Sequence, residues 1–149
     1  MTIVDANLLL YAVNPDAPLH RAARPWLESL LSGTETVGFA WNVLLAFVRL
    51  STRPAVFSRP LDAARAMDLI DDWLAQPCAV TVHPGERHAR VLRDQLGVAG
   101  AGGNLTSDAH LAALAIEHKA ELCSCDGDFA RFPALRWRNP LAEGQRPKR

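Results

Sequence analysis

The first ten residues constrain the fold more than any other stretch, because an acid directly follows a short apolar run. Ile3 and Val4 are followed at once by Asp5, and apolar residues then resume. A strand buried on both faces is almost entirely apolar, so Asp5 is predicted to mark the end of such a strand. Ligands of open α/β sheets bind outside the carboxyl ends of strands. Asp5 is therefore either a site residue or the N-cap of a helix that begins near Leu8.

The rest of the chain alternates short strand patterns with helical patterns, which is typical of a parallel α/β sheet. Apolar runs predict further strands over 36–40, 79–82 and 120–125. Apolar residues at helical spacing predict helices over 20–31, 41–51, 60–74, 86–96 and 105–119, with Pro60 in a first turn. The prediction is an α/β fold with a mostly parallel central sheet.

Composition fits one soluble domain, since 149 residues with 49% hydrophobic and 21% charged residues can build a core. No apolar run approaches the roughly 20 residues that span a bilayer, and the amino terminus lacks a signal-peptide pattern. We therefore expect a cytoplasmic protein without a membrane segment. The three cysteines form no C-x-x-C unit, and we expect them to be reduced and mostly buried.

The net charge is zero, which does not favour a non-specific nucleic-acid binder, but basic residues are concentrated after Ala130. This basic end could hold an anionic polymer beside the acidic body, or it could be a solvated end. We predict one domain over residues 1–142 and a basic, flexible tail over residues 143–149.

Two later acids have settings similar to that of Asp5. Asp108 shares a face with the apolar residues at the start of a predicted helix, where the first-turn N–H groups partly offset its charge. Asp126 directly follows the predicted strand over 120–125. A helix that leads into a strand is a crossover, which would place this strand parallel to the first one. Asp5 and Asp126 would then lie at equivalent strand ends, although each acid could also be an ordinary cap or first-turn residue.

Three inward carboxylates within a few ångströms repel one another unless a cation is present. Their hard oxygen atoms suit Mg²⁺ or Mn²⁺, which leave coordination positions for phosphate oxygens. The convergence of Asp5, Asp108 and Asp126 therefore predicts a divalent metal site with phosphate chemistry.

Other chemistry-bearing residues have simpler interpretations. His83 and His88 have no metal-ligand partner at a recognised spacing, so we interpret them as surface or capping residues. The glycine-rich stretch 97–104 lacks the ending of a phosphate-binding P-loop, so it is interpreted as a flexible connection. Cys123 and Cys125 have no basic activator nearby in the sequence, and we interpret them as structural.

Taken together, the chain resembles the PIN-domain ribonucleases, and specifically the VapC-type toxins of toxin–antitoxin pairs. The similarity extends over almost the whole chain and rests on the order and spacing of several short segments. These segments are 3–7, 47–49, 106–112, 124–132 and 137–140.

The resemblance implies a PIN-like, Rossmann-like three-layer sandwich that binds Mg²⁺ or Mn²⁺ and cleaves RNA. Asp5 and Asp108 would be the principal metal ligands, Asp126 would complete the acidic pocket, and Asp128 would lie nearby. Asn7 and Ser124 would orient ligands or waters. The expected reaction is hydrolysis that leaves a 5′-phosphate, on RNA with exposed loops.

The resemblance also implies a homodimer and a small VapB-like antitoxin that covers an apolar groove and the acidic pocket. Arg131, Arg136 and Arg138 are weaker candidates for contacts with RNA phosphates. One departure from the family pattern is Ala46, where a glutamate usually precedes Arg49 by three residues. The alternatives are therefore a catalytically silent PIN-like module that binds RNA or a partner protein, and a thiol or zinc protein that uses Cys123, Cys125 and a histidine.

Overall fold

The computed structural model describes residues 1–100 and 103–142, so the predicted basic tail over 143–149 lies outside the described residues. Five strands form one sheet in the order β3-β2-β1-β4-β5, and all neighbouring strands are parallel. The strands are β1 (Thr2–Val4), β2 (Val37–Ala40), β3 (Ala79–Val82), β4 (Glu121–Cys123) and β5 (Trp137–Arg138).

Within the described residues, six α-helices flank this sheet, and a 3-10 turn (Gly127–Arg131) follows β4. The helices are α1 (Ala6–Val13), α2 (His20–Leu31), α3 (Trp41–Ser51), α4 (Ala63–Leu74), α5 (His88–Ala99) and α6 (Thr106–Glu117). A second 3-10 turn (Gly103–Leu105) precedes α6. The predicted α/β fold is confirmed.

The strand order places a crevice at the carboxyl ends of β1 and β4. From β1 the chain moves outward through β2 to β3, and it then crosses back to β4 on the other side of β1. Since such crossovers are right-handed, α1 to α4 cover one face of the sheet while α5 and α6 cover the other. Ligands of open α/β sheets bind at this reversal point. Asp5 directly follows one of these two strands, and Ser124 directly follows the other.

The core is aromatic on the α3–α4 side of the sheet. Trp73 of α4 stacks on Phe39 of β2 with ring centroids 6.3 Å apart, and it meets the edge of Phe47 of α3 at 4.9 Å. At Gly38 of β2, an added Cβ would lie 3.0 Å from side-chain atoms of Ile3 and Val82. This close packing brings β1, β2 and β3 together.

Three local features differ from the sequence predictions. The helix expected to begin around Pro60 begins at Ala63, because Asp62 is its N-cap and accepts a hydrogen bond from the Arg65 N–H over 2.7 Å. The strand β5 was not predicted, since two residues are too few to show a pattern. Helix α5, predicted over 86–96, extends from His88 to Ala99 and buries His88 and Gln95.

No helix within the described ranges is both long and apolar enough to span a bilayer.

Candidate metal centre

Asp5 lies where β1 ends and α1 begins, and it belongs to both elements. Its N–H donates to the carbonyl of Cys123 over 3.0 Å, which continues the pairing of β1 with β4. Its Oδ1 accepts a hydrogen bond from the N–H of Ala6 over 2.7 Å, so it is the N-cap of α1. The two interpretations of Asp5 are therefore compatible, because capping uses one carboxylate oxygen and leaves Oδ2 for other contacts.

A network of polar side chains fixes this second oxygen. The hydroxyl of Ser124 donates to Asp5 Oδ2 over 2.7 Å, and Asn7 Nδ2 lies 3.3 Å from the same atom. Ser124 Oγ in turn accepts hydrogen bonds from Asn7 Nδ2 and from the Asp126 N–H, both over 3.0 Å. Asn7 Oδ1 accepts from the Cys125 N–H over 3.2 Å. The Ser124 hydroxyl thus uses its one donor and both acceptor positions inside the site.

Three carboxylates gather beside this network. Asp108 lies in the first turn of α6, Asp126 follows β4, and Asp128 lies in the 3-10 turn after it. One carboxylate oxygen from each lies within 4.8 Å of the others. Asp126 Oδ1 also accepts the N–H of Asp128 over 2.9 Å, which holds the turn in place. Asp5 is part of no such group of three among the described residues, although it interacts electrostatically with Asp108.

The site raises the proton affinity of Asp108 and Asp5. The pKa of Asp108 rises from 3.8 to about 6, mainly because the carboxylate is partly buried, and then through repulsion from Asp126, Asp5 and Asp128. Burial also raises the pKa of Asp5, with a smaller contribution from Asp126, while hydrogen bonds from Ser124 and Ala6 oppose this rise. These groups carry mutual repulsion that a bound cation would relieve.

The donor set fits a hard divalent cation. Asp108, Asp126 and Asp128 supply only carboxylate oxygens, which suit Mg²⁺ and Mn²⁺ better than softer metals. Asp128 is exposed and the other two are half-buried, so a phosphate group could reach the same position from solvent.

The three candidate RNA-binding arginines have different surroundings. Arg131 Nε lies 3.7 Å from Asp128 Oδ1, at the edge of the carboxylate cluster. Arg136 donates to the carbonyl of Lys119, which precedes β4 and therefore lies at the opposite edge of the sheet. Arg138 Nε donates to Glu121 Oε1 over 2.9 Å. Arg131 is accordingly the arginine of this set that is best located for substrate contacts.

Thiol chemistry finds no support here. Burial and the neighbouring Asp5 raise the pKa of Cys125, which keeps it protonated and weakly nucleophilic. Cys123 is buried, and neither cysteine belongs to a three-residue cluster with metal-binding spacing in the described part of the chain.

Two features of this region were missed in the sequence. Trp137 of β5 donates its indole N–H to the carbonyl of Ser124 over 3.0 Å and so supports the strand end that carries the site. The interpretation of His88 as a surface or capping residue is wrong, because it is buried against Glu117 and His110. Its partners lie 29 and 22 residues away in the sequence, too far for a local pattern. His83 is exposed, as expected.

The fold and the acidic edge define an α/β protein with a candidate divalent-metal site. A family model described as the PIN domain matches residues 2–135. The chain therefore belongs to the PIN-domain family, which confirms the resemblance noted in the sequence.

Several curated relatives are similar over nearly their full length. Ribonuclease VapC37 of Mycobacterium tuberculosis is 53% identical over 142 residues, which cover 95% of this chain and 99% of that protein. VapC ribonuclease Mb2897 of Mycobacterium bovis is 42% identical over 145 residues, which cover 97% of this chain and 98% of that protein.

Solved structures share the fold at lower identity. The chain matches a structure of VapBC2 from Rickettsia felis bound to a promoter DNA fragment with a TM-score of 0.66 and 20% identity, covering 93% of this chain and 97% of that one. It matches VapBC-1 from nontypeable Haemophilus influenzae with a TM-score of 0.64 and 14% identity, at the same coverage.

Proposed function

We propose that this protein is a divalent-metal-dependent endoribonuclease and the toxin of a toxin–antitoxin pair. The observation that carries the proposal is the cluster of Asp108, Asp126 and Asp128 at the reversal point of a PIN-domain sheet. The names of relatives up to 53% identical support cleavage of RNA as the activity.

In this proposal the three clustered carboxylates, with Asp5 beside them, hold Mg²⁺ or Mn²⁺. When bound, the cation polarises phosphoryl oxygens and lowers the pKa of water. Hydrogen bonds from Ser124 and Asn7 hold Asp5 Oδ2 in a fixed position. Arg131 contributes positive charge at the rim, where it binds an RNA phosphate.

Ala46 leaves one acid fewer than the usual family pattern. The charge of the remaining acids is still sufficient for one cation, since Mg²⁺ is commonly held by one or two carboxylates plus water. We therefore expect an active enzyme rather than a silent module.

The test is cleavage of a structured RNA with exposed loops by the purified chain, with Mg²⁺, Mn²⁺ or a chelator. We expect metal-dependent cleavage that leaves 5′-phosphate ends. Asp108→Asn should abolish it, whereas Asp68→Asn, on the exposed face of α4, should not change it. Metal-independent cleavage, or full activity of Asp108→Asn, would contradict the proposal. Tight RNA binding without cleavage, and with no activity after Ala46→Glu, would favour the silent module.

The antitoxin partner is proposed to dock in a cleft of about 520 Å³ between α1, α2 and α4. Its lining is partly apolar, through Leu31 and Trp73, and partly polar, with Arg24 paired to Glu28 and with Arg65 nearby. Such a cleft fits the apolar face of an amphipathic helix that carries acidic side chains at its border. The VapBC complexes among the structural neighbours support a partner of this kind for the present chain.

The homodimer is proposed to form through a different surface. Helix α3 buries one side in the core, but Trp41 and Leu45, one turn apart, are 42% and 62% exposed. Large apolar side chains exposed together on one helix face are typical of interfaces.

The two surfaces provide controls for each other. Leu69→Glu in the cleft should prevent co-purification of a VapB-like antitoxin co-expressed with this chain, and it should leave the dimer intact. Leu45→Glu should convert the dimer to a monomer, measured by light scattering, and should retain the antitoxin. If Leu69→Glu still co-purifies with the antitoxin and Leu45→Glu is still a dimer, the assignment of these surfaces is wrong.

A further inference from the structure

A buried hydrogen-bond chain of one carboxylate and two imidazoles connects α5 with α6, outside the acidic cluster. His88 Nδ1 lies 2.6 Å from Glu117 Oε1, and His88 Nε2 lies 2.9 Å from His110 Nδ1. The side chains of His88 and Glu117 are only 11% and 7% exposed. A buried carboxylate is costly unless it is paired, so Glu117 requires its histidine partner.

The loop between β3 and α5 is shaped around Glu117. The N–H of Gly85 donates to Glu117 Oε1 over 3.4 Å, and a Cβ at Gly85 would lie only 2.8 Å from Glu117 Oε2. His118, the next residue in the sequence, makes a separate contact with the same loop. Its Nε2 lies 2.9 Å from the carbonyl of His83. Only the Glu117 contact continues through His88 to His110.

The hydrogen-bond chain from Glu117 ends at His110, which is close to the candidate metal centre in the sequence. His110 and Asp108 are two residues apart on α6, which is about 3 Å along a helix axis. Leu105, the N-cap residue of α6, provides no side-chain hydrogen bond to hold the start of the helix. Asp108 is meanwhile repelled by the carboxylates of Asp126 and Asp5. The contact of α6 with α5, its most extensive helix contact, opposes this repulsion.

We propose that Glu117, His88 and His110 are positioning residues that hold α6 in the rotation at which Asp108 meets Asp126 and Asp128. The inference rests on the proposed function in one respect, namely that the cluster binds a divalent cation. It assigns no chemical step to the histidines, whose role is to set the geometry of Asp108, two residues before His110 on the same helix.

Mn²⁺ binding measured by isothermal titration calorimetry tests this directly, without RNA. His88→Ala breaks the chain at its centre, and we expect its Mn²⁺ affinity to fall by about tenfold or more, as for other residues that orient ligands from outside. His110→Ala leaves the buried Glu117–His88 pair intact, so it should fold well and still lose affinity. In the double variant the losses should not add, because either substitution interrupts the same chain.

Two controls separate positioning from general destabilisation. His118→Ala removes an imidazole contact to the same loop but lies outside the hydrogen-bond chain. Asp62→Ala removes the N-cap of α4 and lowers stability away from α6. Both should bind Mn²⁺ as the wild type does. Unchanged affinity in His88→Ala and His110→Ala would overturn the inference alone, as would an equal loss in His118→Ala. A wild-type protein that binds no Mn²⁺ would overturn the proposed function and this inference with it.

Discussion

The hydroxyl of Ser124 donates a hydrogen bond to Oδ2 of Asp5 over 2.7 Å, although 119 residues separate the two in the chain. The contact exists because β1 and β4 are parallel neighbours with Val4 opposite Cys123. Asp5 and Ser124, the residues that follow these strands, therefore lie side by side at the carboxyl ends of the strands. Since the same hydroxyl accepts the N–H of Asp126, one side chain connects the acid after β1 with the acid after β4.

Replacing Ser124 by alanine should weaken metal binding while the fold survives. The substitution removes the donor to Asp5 and the acceptor for Asp126, so both carboxylates lose a fixed orientation. Loss of such an orienting contact typically lowers metal affinity by about 10- to 100-fold. Calorimetry with Mn²⁺ measures this, and Ser32→Ala, at the exposed end of α2, is the matched control. Equal affinities in the two variants would contradict the role given to Ser124.

Replacing Asp108 by asparagine should stabilise the metal-free protein at neutral pH. The pKa of Asp108 is about 6 in the folded state, above the ordinary 3.8, so the folded state prefers the protonated acid. The ionised side chain therefore destabilises the wild type above about pH 6, and this penalty disappears as the pH falls toward 4. For a half-exposed group the gain is on the order of 1 kcal/mol.

Urea unfolding in the presence of a chelator measures this effect. Asp108→Asn should be more stable than the wild type near neutral pH, and the difference should vanish near pH 4. Asp68→Asn, on exposed α4, should show no such pH dependence. A variant less stable than the wild type at neutral pH would contradict the raised pKa of Asp108.

Much of the fold could be predicted because its signals are local. The run over 36–40 contains β2, and the helical spacing over 20–31 and 41–51 matches α2 and α3. Asp5 could be recognised because an acid interrupts an otherwise buried run. The strand β5 could not be predicted, because two residues carry no periodicity. The role of Trp137 depends on its hydrogen bond to the Ser124 carbonyl, which is visible only in the folded structure.

The sequence could predict that the acids lie in one region of the fold, but not which of them lie closest together. The resemblance implies only that Asp128 lies near the acidic pocket, whereas the structure groups it closely with Asp108 and Asp126. The reason is the 3-10 turn, in which the Asp128 N–H binds Asp126 Oδ1 and brings the two residues together. The pairing of His88 with Glu117 likewise depends on the packing of α5 against α6, which no local pattern records.

Metal binding should weaken as the pH falls through about 6. In the metal-free protein, Asp108 takes up a proton in this range, and the proton competes with the cation for the same oxygens. Near pH 5 the affinity for Mn²⁺ should be about tenfold lower than near neutral pH. Calorimetry in buffers of different ionisation enthalpy should also detect proton release on binding near pH 6. An affinity that does not change with pH would contradict the raised pKa of Asp108.

Replacing Arg131 by glutamine should weaken RNA binding with little effect on the chemical step. Its side chain is 56% exposed and lies beside Asp128, so it can contact a phosphate while the carboxylates keep their positions. We expect KM for RNA to rise severalfold and kcat to change little. A plot of the logarithm of the RNA association constant against the logarithm of the salt concentration should become shallower by about one unit of slope. Arg136→Gln is the control, because its guanidinium binds the Lys119 carbonyl at the opposite edge of the sheet. A larger KM effect for Arg136→Gln would move the RNA path away from the carboxylate cluster.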